Sequence, residues 1–435
     1  MLVVKVETFL KNNLLLIIIL LGAFSLFMLR EPIRPGHCSG NVIVVPDHYP
    51  KISWAVGNAS EGDTILVRSG NYSESQITVN KTLTITGENA ENTIIDGGET
   101  TQFIFHVIAN NVVIENVTLQ NTSSTTIPPS SAVSLLNDTN VTLERIAFKS
   151  VGCAVGMRFS NFTRILNSKI SNATIGAQFR DNSYNNTIAG NTLENNSIAV
   201  SILGSTCSYN RIFHNNFINN TNQVSNFGSF NFFDDGYPSG GNLWSDHNGD
   251  DLYSGPYQNE TGSDGILDEA YPFKEAPLDR YPFSCPLTEI EVTAGGSSFF
   301  LDISTNSTLI DYFFNDSAKS MNLMIQSHPS NNGSCRIKIP KGLLSCNSLS
   351  EWNVSEIYLN GTTLELTYRA MIDSENTYIY FAYTQSHISQ IEIRGTIFLS
   401  EVSITVIAIV FILFSVILLF EKRLIKRGKG KVLFE

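Results

Sequence analysis

Two short stretches carry side chains in patterns that do chemistry. In "DHNGD", Asp246, Asn248 and Asp250 stand at every second position, the spacing with which Ca²⁺ loops wrap oxygen ligands around a hard cation. The stretch departs from the EF-hand pattern, because Asp251 replaces the sixth-position Gly and Tyr257 stands where the closing Glu belongs. Asp264 and Asp268 in "DGILD" are candidates for the missing ligands. Two readings stay open, a structural Ca²⁺ ion or no metal. The second stretch holds Arg158 and Arg180, with Gln178 and Asp181 beside the latter. A guanidinium grips a carboxylate through two parallel N–H bonds, so this group could hold an acidic sugar. The plainer reading is a solvated surface on which the arginines hold Asp181. Among six cysteines with no Cys-x-x-Cys, Cys335 and Cys346 form the expected disulfide, closing a short loop in an oxidising compartment.

These residues lie in a chain of 435 residues with a formal charge of -12 and only 16% charged side chains. Such an acidic balance argues against a nucleic-acid partner, because phosphate binding needs a basic surface. Residues 402–420 carry no charge and precede the basic run "EKRLIKRGKGK". That length and order predict a transmembrane helix with a cytoplasmic tail at 421–435. Residues 1–30 place Lys5 and Lys11 ahead of "LLLIIILLGAFSLFML", the order of a secretory signal peptide or an uncleaved signal-anchor. The expected location is therefore the cell membrane, with the bulk of the chain extracellular. Asn-x-Ser/Thr sequons scattered through the middle portion would then be open to glycosylation.

The elements that must position the candidate residues follow from a repeat. Ile114, Leu143, Ile165, Ile188 and Ile212 recur at steps of 29, 22, 23 and 24 residues. Five positions after each stands another apolar residue (Leu119, Phe148, Ile170, Leu193, Phe217), and two further on a small polar one (Asn121, Ser150, Asn172, Asn195, Asn219). A third column follows at Val133/Leu135, Val155/Met157, Ala177/Phe179 and Val200/Ile202. Three period-2 apolar runs per repeat predict a parallel β-solenoid with three strands in each coil. Asn suits the corners, because it tolerates left-handed backbone and its amides can bond from coil to coil. From about residue 287, strands without the repeat ("EIEVTA", "SFFLDIS", "CRIKIP", "TYIYFAYT") predict a β-sandwich.

The stretch "VPDHYPKISWAVGNASEGDTILVRSGNYSESQITVNKTLTITGE" resembles the start of NosD-like right-handed parallel β-helix proteins, the carbohydrate-binding-repeat type found among archaeal and bacterial surface proteins. "DDGYPSGGNLWSDHNGDDLYSGPYQNETGSDGILDEAYPF" is similar to the segment that closes the helix in archaeal members. The resemblance covers about 41–283. The expected all-β organisation is a cap and first coil at 41–76, repeats at 77–230, an acidic and aromatic closing segment at 231–284 and a β-sandwich at 287–395.

The family name implies copper delivery, yet seven dispersed histidines and six methionines without a cluster offer no copper site. Relatives with this architecture cleave pectin-like polymers, which needs paired carboxylates or acidic Ca²⁺ ligands beside a base. The register places no two outward carboxylates on neighbouring coils, so the expectation leans away from catalysis. Binding of polysaccharide or another envelope component is the expected function. A lyase, hydrolase or epimerase and a stalk without ligand are the alternatives.

Overall fold

The computed structural model describes residues 40–99, 102–125, 130–272, 279–326, 332–357, 362–383 and 388–395. The apolar segments at 14–29 and 402–420 lie outside them. Among the described residues no helix is long and apolar enough to cross a membrane.

The solenoid is built from three parallel sheets. The first stacks eight strands from Val42–Val45 to Arg211–Phe213, the second eight from Gly70–Ser73 to Leu243–Trp244, and the third seven from Ile77–Val79 to Asn222–Asn226. Each strand pairs with its counterpart one coil away, so Ile114, Leu143, Ile165, Ile188 and Ile212 lie in one row of the first sheet. All five are fully buried, as are Leu119, Phe148, Ile170, Leu193 and Phe217 in the second sheet. Burial of each such side chain contributes about 1.5–3 kcal/mol. At the start, the helix Ile52–Asn58 buries Ile52, Ala55 and Val56 over the first coils.

The corners are held by two kinds of asparagine. Asn121, Asn172, Asn195 and Asn219, with Ser150, have φ between 52° and 58°, turning the chain in the left-handed region that Asn enters at low cost. Other asparagines point inward and stack. Asn186 donates to Asn210 and Asn210 to Asn231, both at 3.0 Å. Asn191 donates to Asn215 at 2.9 Å and Asn215 to Asn242 at 3.0 Å, while Asn196 donates to Asn220 at 2.9 Å. Each amide also serves buried backbone: Asn215 donates to the carbonyl of Ile188 at 2.8 Å and accepts from the N–H of Asn191 at 3.0 Å.

The far end is closed by aromatic rings. Trp244 extends the row of Phe217 and is sandwiched between Phe217 and Tyr271, with ring centroids 4.3 Å away on both sides. Its indole N–H donates to Asp279 at 2.8 Å, and Asp279 also accepts from the N–H of Asn242 at 2.7 Å, ending the second ladder.

Two five-stranded antiparallel sheets follow. Leu301, Ile303, Ile337, Ile379 and Phe381 of one sheet share a core with Leu323, Ile325, Val354, Ile391 and Ile393 of the other. They sit against the solenoid's closing segment through specific polar contacts. Asn216 exchanges two 2.8 Å bonds with the backbone of Leu287. Buried Arg336 donates to the carbonyls of Asp264 and Pro238.

Cys335 is a free, fully buried thiol on the strand Gly333–Pro340. The expected Cys335–Cys346 disulfide is therefore not formed. Cys335 faces inward among the apolar residues of the shared core, and burial pushes its thiol far up.

Two outcomes follow. Asn215→Ala removes one rung and leaves the N–H of Asn191 and the carbonyl of Ile188 unsatisfied, so denaturant unfolding should show a loss of about 3 kcal/mol. Asp138 is buried, with Ser160 donating at 2.9 Å to one oxygen and no partner on the other. Burial raises its carboxyl from 3.8 to about 6. Its stabilising protonated form is complete below pH ~4 and lost as pH rises through about 6. Asp138→Asn should therefore stabilise by about 2 kcal/mol at pH 8 and leave stability at pH 4 nearly unchanged, read from melting curves at the two pH values.

Candidate functional site

The turn joining the third sheet to the first begins from a small sequence signature repeated in four coils: "SNFT" at 160–163, "SYNN" at 183–186, "SYN" at 208–210 and "SFN" at 229–231. The last residue of each lies inward in the ladder: Thr163 takes its bond from its N–H to Asn186, and Asn186, Asn210 and Asn231 stack beyond it. The residue just before the ladder takes left-handed backbone, with φ of 58° at Phe162, 55° at Asn185, 57° at Tyr209 and 54° at Phe230. Asn111 and Asn140 hold the same corner in earlier coils, at 55° and 58°.

The aromatic residues at this corner point to solvent. Phe162 and Tyr209 are each 52% exposed, Phe230 69% and Tyr184 38%. The rings of Tyr209 and Phe230 lie nearly parallel at 5.9 Å, and those of Phe162 and Tyr184 meet edge to face at 6.3 Å. Phe159, three residues before Phe162, is also left-handed and exposed. A bulky L-residue in this region costs about 1–2 kcal/mol, and an exposed ring gains nothing from burial. Three positions that Asn fills elsewhere in the column carry such a ring. The result is an aromatic stripe parallel to the solenoid axis, with a rise of about 4.8 Å per coil.

Beside the stripe lie Arg158 and Arg180, paired in register on adjacent strands of the third sheet. Arg158 binds Asp181 through its Nε at 2.5 Å and rests 5.7 Å from the centre of the Phe159 ring. The guanidinium of Arg180 makes no hydrogen bond or ion pair among the described residues. Gln178 is 8% exposed in the neighbouring row, between Gly156 and Ser201. The structure thus brings Arg158, Arg180 and Asp181 together, keeps Gln178 buried on the neighbouring row, and adds the rings that the sequence reading missed. The repeated Ser-aromatic-Asn signature was the available signal.

The acidic loop is arranged differently from the expectation. Asp246 accepts from Tyr271 and Gln223, each at 3.0 Å, and Asp268 accepts from the N–H of Tyr253 at 3.0 Å. Asp264 is buried and turns back on the N–H of Ile266 at 3.1 Å, while Asn248 and Asp250 face solvent. Three of the five candidate ligands thus accept bonds in separate turns, and the other two face solvent. Asp251 clasps the N–H groups of Asp264 and Gly265, and burial pushes its carboxyl up to about 7. Among the described residues no three His, Cys, Asp or Glu are grouped to hold a metal.

One expectation is corrected: outward carboxylates do stack. Glu115 and Glu144 are register partners on adjacent strands of the first sheet. Arg145 lies between them, 2.6 Å from Glu144 and 3.6 Å from Glu115. Its charge holds both carboxylates in an ion pair, which leaves neither placed as a free acid or base.

Residues 40–249 match the family described as "Periplasmic copper-binding protein (NosD)". The four described histidines, His48, His106, His214 and His247, belong to no group of three His, Cys, Asp or Glu that could hold a metal. His48 accepts from the N–H of Val44, His214 contacts the carbonyl of Ser239, and His247 that of Glu269. No curated protein matches the sequence. Among solved structures, the catalytic domain of a GH87 alpha-1,3-glucanase in complex with tetrasaccharides is similar at 16% identity and a TM-score of 0.38, over 44% of this chain. This chain spans 38% of that glucanase's length. An alginate lyase from Paenibacillus sp. str. FPU-7 is similar at 15% identity and a TM-score of 0.27, over 39% of this chain and 71% of its own. The pectin methylesterase PemA from Erwinia chrysanthemi gives 12% and 0.23, over 40% and 70%. At these scores the likenesses bear on neither activity nor ligand. From the stacked parallel sheets and the matched span, residues 40–249 constitute a NosD-like right-handed parallel β-helix.

Proposed function

We propose that the chain is a non-catalytic carbohydrate-binding protein of the cell exterior, which holds a polysaccharide along the aromatic corner of its β-helix. The observation that carries this reading is the set of exposed rings at Phe162, Tyr209 and Phe230, each on left-handed backbone that Asn would occupy with less strain. Strain retained at a solvent-facing position points to a function of the side chain. Flat exposed rings stack on the apolar faces of sugars, and a row of them suits a linear chain better than a compact ligand. In this reading the antiparallel sheets are a spacer, and the apolar segment at 402–420 anchors the protein with its β-helix outside the membrane.

The ion pairing of Glu115 and Glu144 by Arg145 weighs against a hydrolase on the first sheet. The stripe itself weighs against a stalk without ligand, which has no use for strained, exposed rings.

The test is the triple variant Phe162→Asn, Tyr209→Asn, Phe230→Asn. Because Asn is native at the equivalent Asn140 and Asn185, the turns are retained and the melting temperature should stay level or rise. Retardation of the full chain in gels containing polysaccharides should fall at least tenfold for the ligand that the wild type binds, with no product released. Unchanged retardation in the stable variant would remove the stripe as the site.

A further inference from the structure

We infer that the polymer held on this corner is a linear acidic polysaccharide, one bearing carboxylate or sulfate groups, laid parallel to the solenoid axis with its anionic groups on Arg180 and Arg158. The inference rests on the stripe as the binding site and adds the charge and the direction of the ligand.

Three observations carry it. The first is the balance of charge at the edge of the third sheet. Arg158 and Arg180 are partners on adjacent strands, and like charges directly opposite in a sheet are unfavourable. One carboxylate, Asp181, stands with them, and it is bound to Arg158. Arg180 is left without an ion-pair partner among the described residues. The guanidinium groups of the other described solenoid arginines are engaged: Arg68 with Asp47 and Glu88, Arg145 with Glu115 and Glu144, Arg164 with the hydroxyl of Thr142, and Arg211 with Asp235. In a chain of net charge -12, an unmatched guanidinium is a local departure that suits an incoming anion.

The second is position. The strand Cys153–Arg158 runs directly into Phe159 and Phe162, and Ile175–Arg180 into Tyr184. Each arginine therefore stands at the foot of a turn that bears an aromatic ring. A sugar stacked on the ring would have its acidic substituent within reach of the guanidinium, whose fork matches carboxylate or sulfate oxygens.

The third is periodicity. Exposed rings occur in four consecutive coils, at Phe162, at Tyr184 one residue before the corner position, at Tyr209 and at Phe230, at a rise of about 4.8 Å per coil. An extended polysaccharide running along the axis advances by a comparable distance per sugar and so meets one ring per residue. A chain crossing the coils would meet one ring in all.

The experiment compares the full chain in gels containing carboxymethylcellulose, alginate or polygalacturonate with the same chain in hydroxyethylcellulose or dextran, at low and high salt. We expect at least tenfold stronger retardation by an acidic polymer, weakened by salt as charged contacts are screened. Arg180→Gln should reduce it to the neutral level, and Arg180→Lys should restore part of it. Asp181→Asn frees Arg158 and should strengthen binding of the acidic polymer. With acidic oligosaccharides of two to eight sugars, affinity should climb up to about four, one per coil. Equal binding of neutral polymers, or an acidic preference untouched by both Arg180→Gln and Asp181→Asn, would overturn the inference while leaving polysaccharide binding in place. Retardation by no polymer would overturn both.

Discussion

A buried amide that can neither reach water nor find a partner costs more free energy than most single contacts return. In its later coils the β-helix meets that constraint at all three corners with another amide. Because the side chain of Asn has the donor and acceptor arrangement of a peptide group, a column of asparagines extends the strand pairing across the corners, where the backbone turns too sharply to pair with itself. Asn186, Asn191 and Asn196 each sit one coil below a matching asparagine. The apolar rows between the corners depend on this. Ile188 and Ile212 meet because the amides on either side of them hold two coils in register. The abundance of asparagine in these coils is a consequence of that requirement.

The same corners divide the labour between fold and surface. Inward positions are satisfied by the ladder, which runs from Thr163, Ser168 and Ala173 into the stacked asparagines of the following coils. The left-handed position just outside asks only for a residue that tolerates its backbone, so its side chain is free to face solvent. At Asn140 and Asn185 the undemanding residue is kept. At Phe162, Tyr209 and Phe230 a ring is accepted in its place, and the rigid rows beneath bear the strain. A stiff support with a tolerant rim can carry a binding stripe without being rebuilt for it.

Most of the architecture was legible in the sequence because it is periodic. The apolar columns from Ile114 to Ile212 set the register, and the polar residues at Asn121, Ser150, Asn172, Asn195 and Asn219 marked left-handed turns. The ladder was less visible, since at the third corner its members are Asn196 and Asn220, one residue beyond those that the repeat singled out. The site was harder still. Phe162 and Phe217 are both aromatic residues in polar surroundings, yet one is exposed and the other is fully buried. What separates them is φ and the direction of the side chain, which residue type alone does not reveal. The pairing of Glu115 with Glu144 follows from the same register as Ile114 and Leu143, but the neutralising role of Arg145 depends on where its long side chain folds back. Cys335 and Cys346 are close in sequence and both pack in the same core, Cys335 within it and Cys346 at its edge, yet they are not joined.

The closing stack of Phe217, Trp244 and Tyr271 has a consequence for how far the stacking can propagate. A stacked parallel sheet presents at its last coil a row of N–H and C=O groups that a further strand from any chain could extend. Here the final ladder amide is taken by Asp279, and the last interior ring is covered by Tyr271. The stacking that in fibrils propagates without limit is thereby closed along this row of the β-helix.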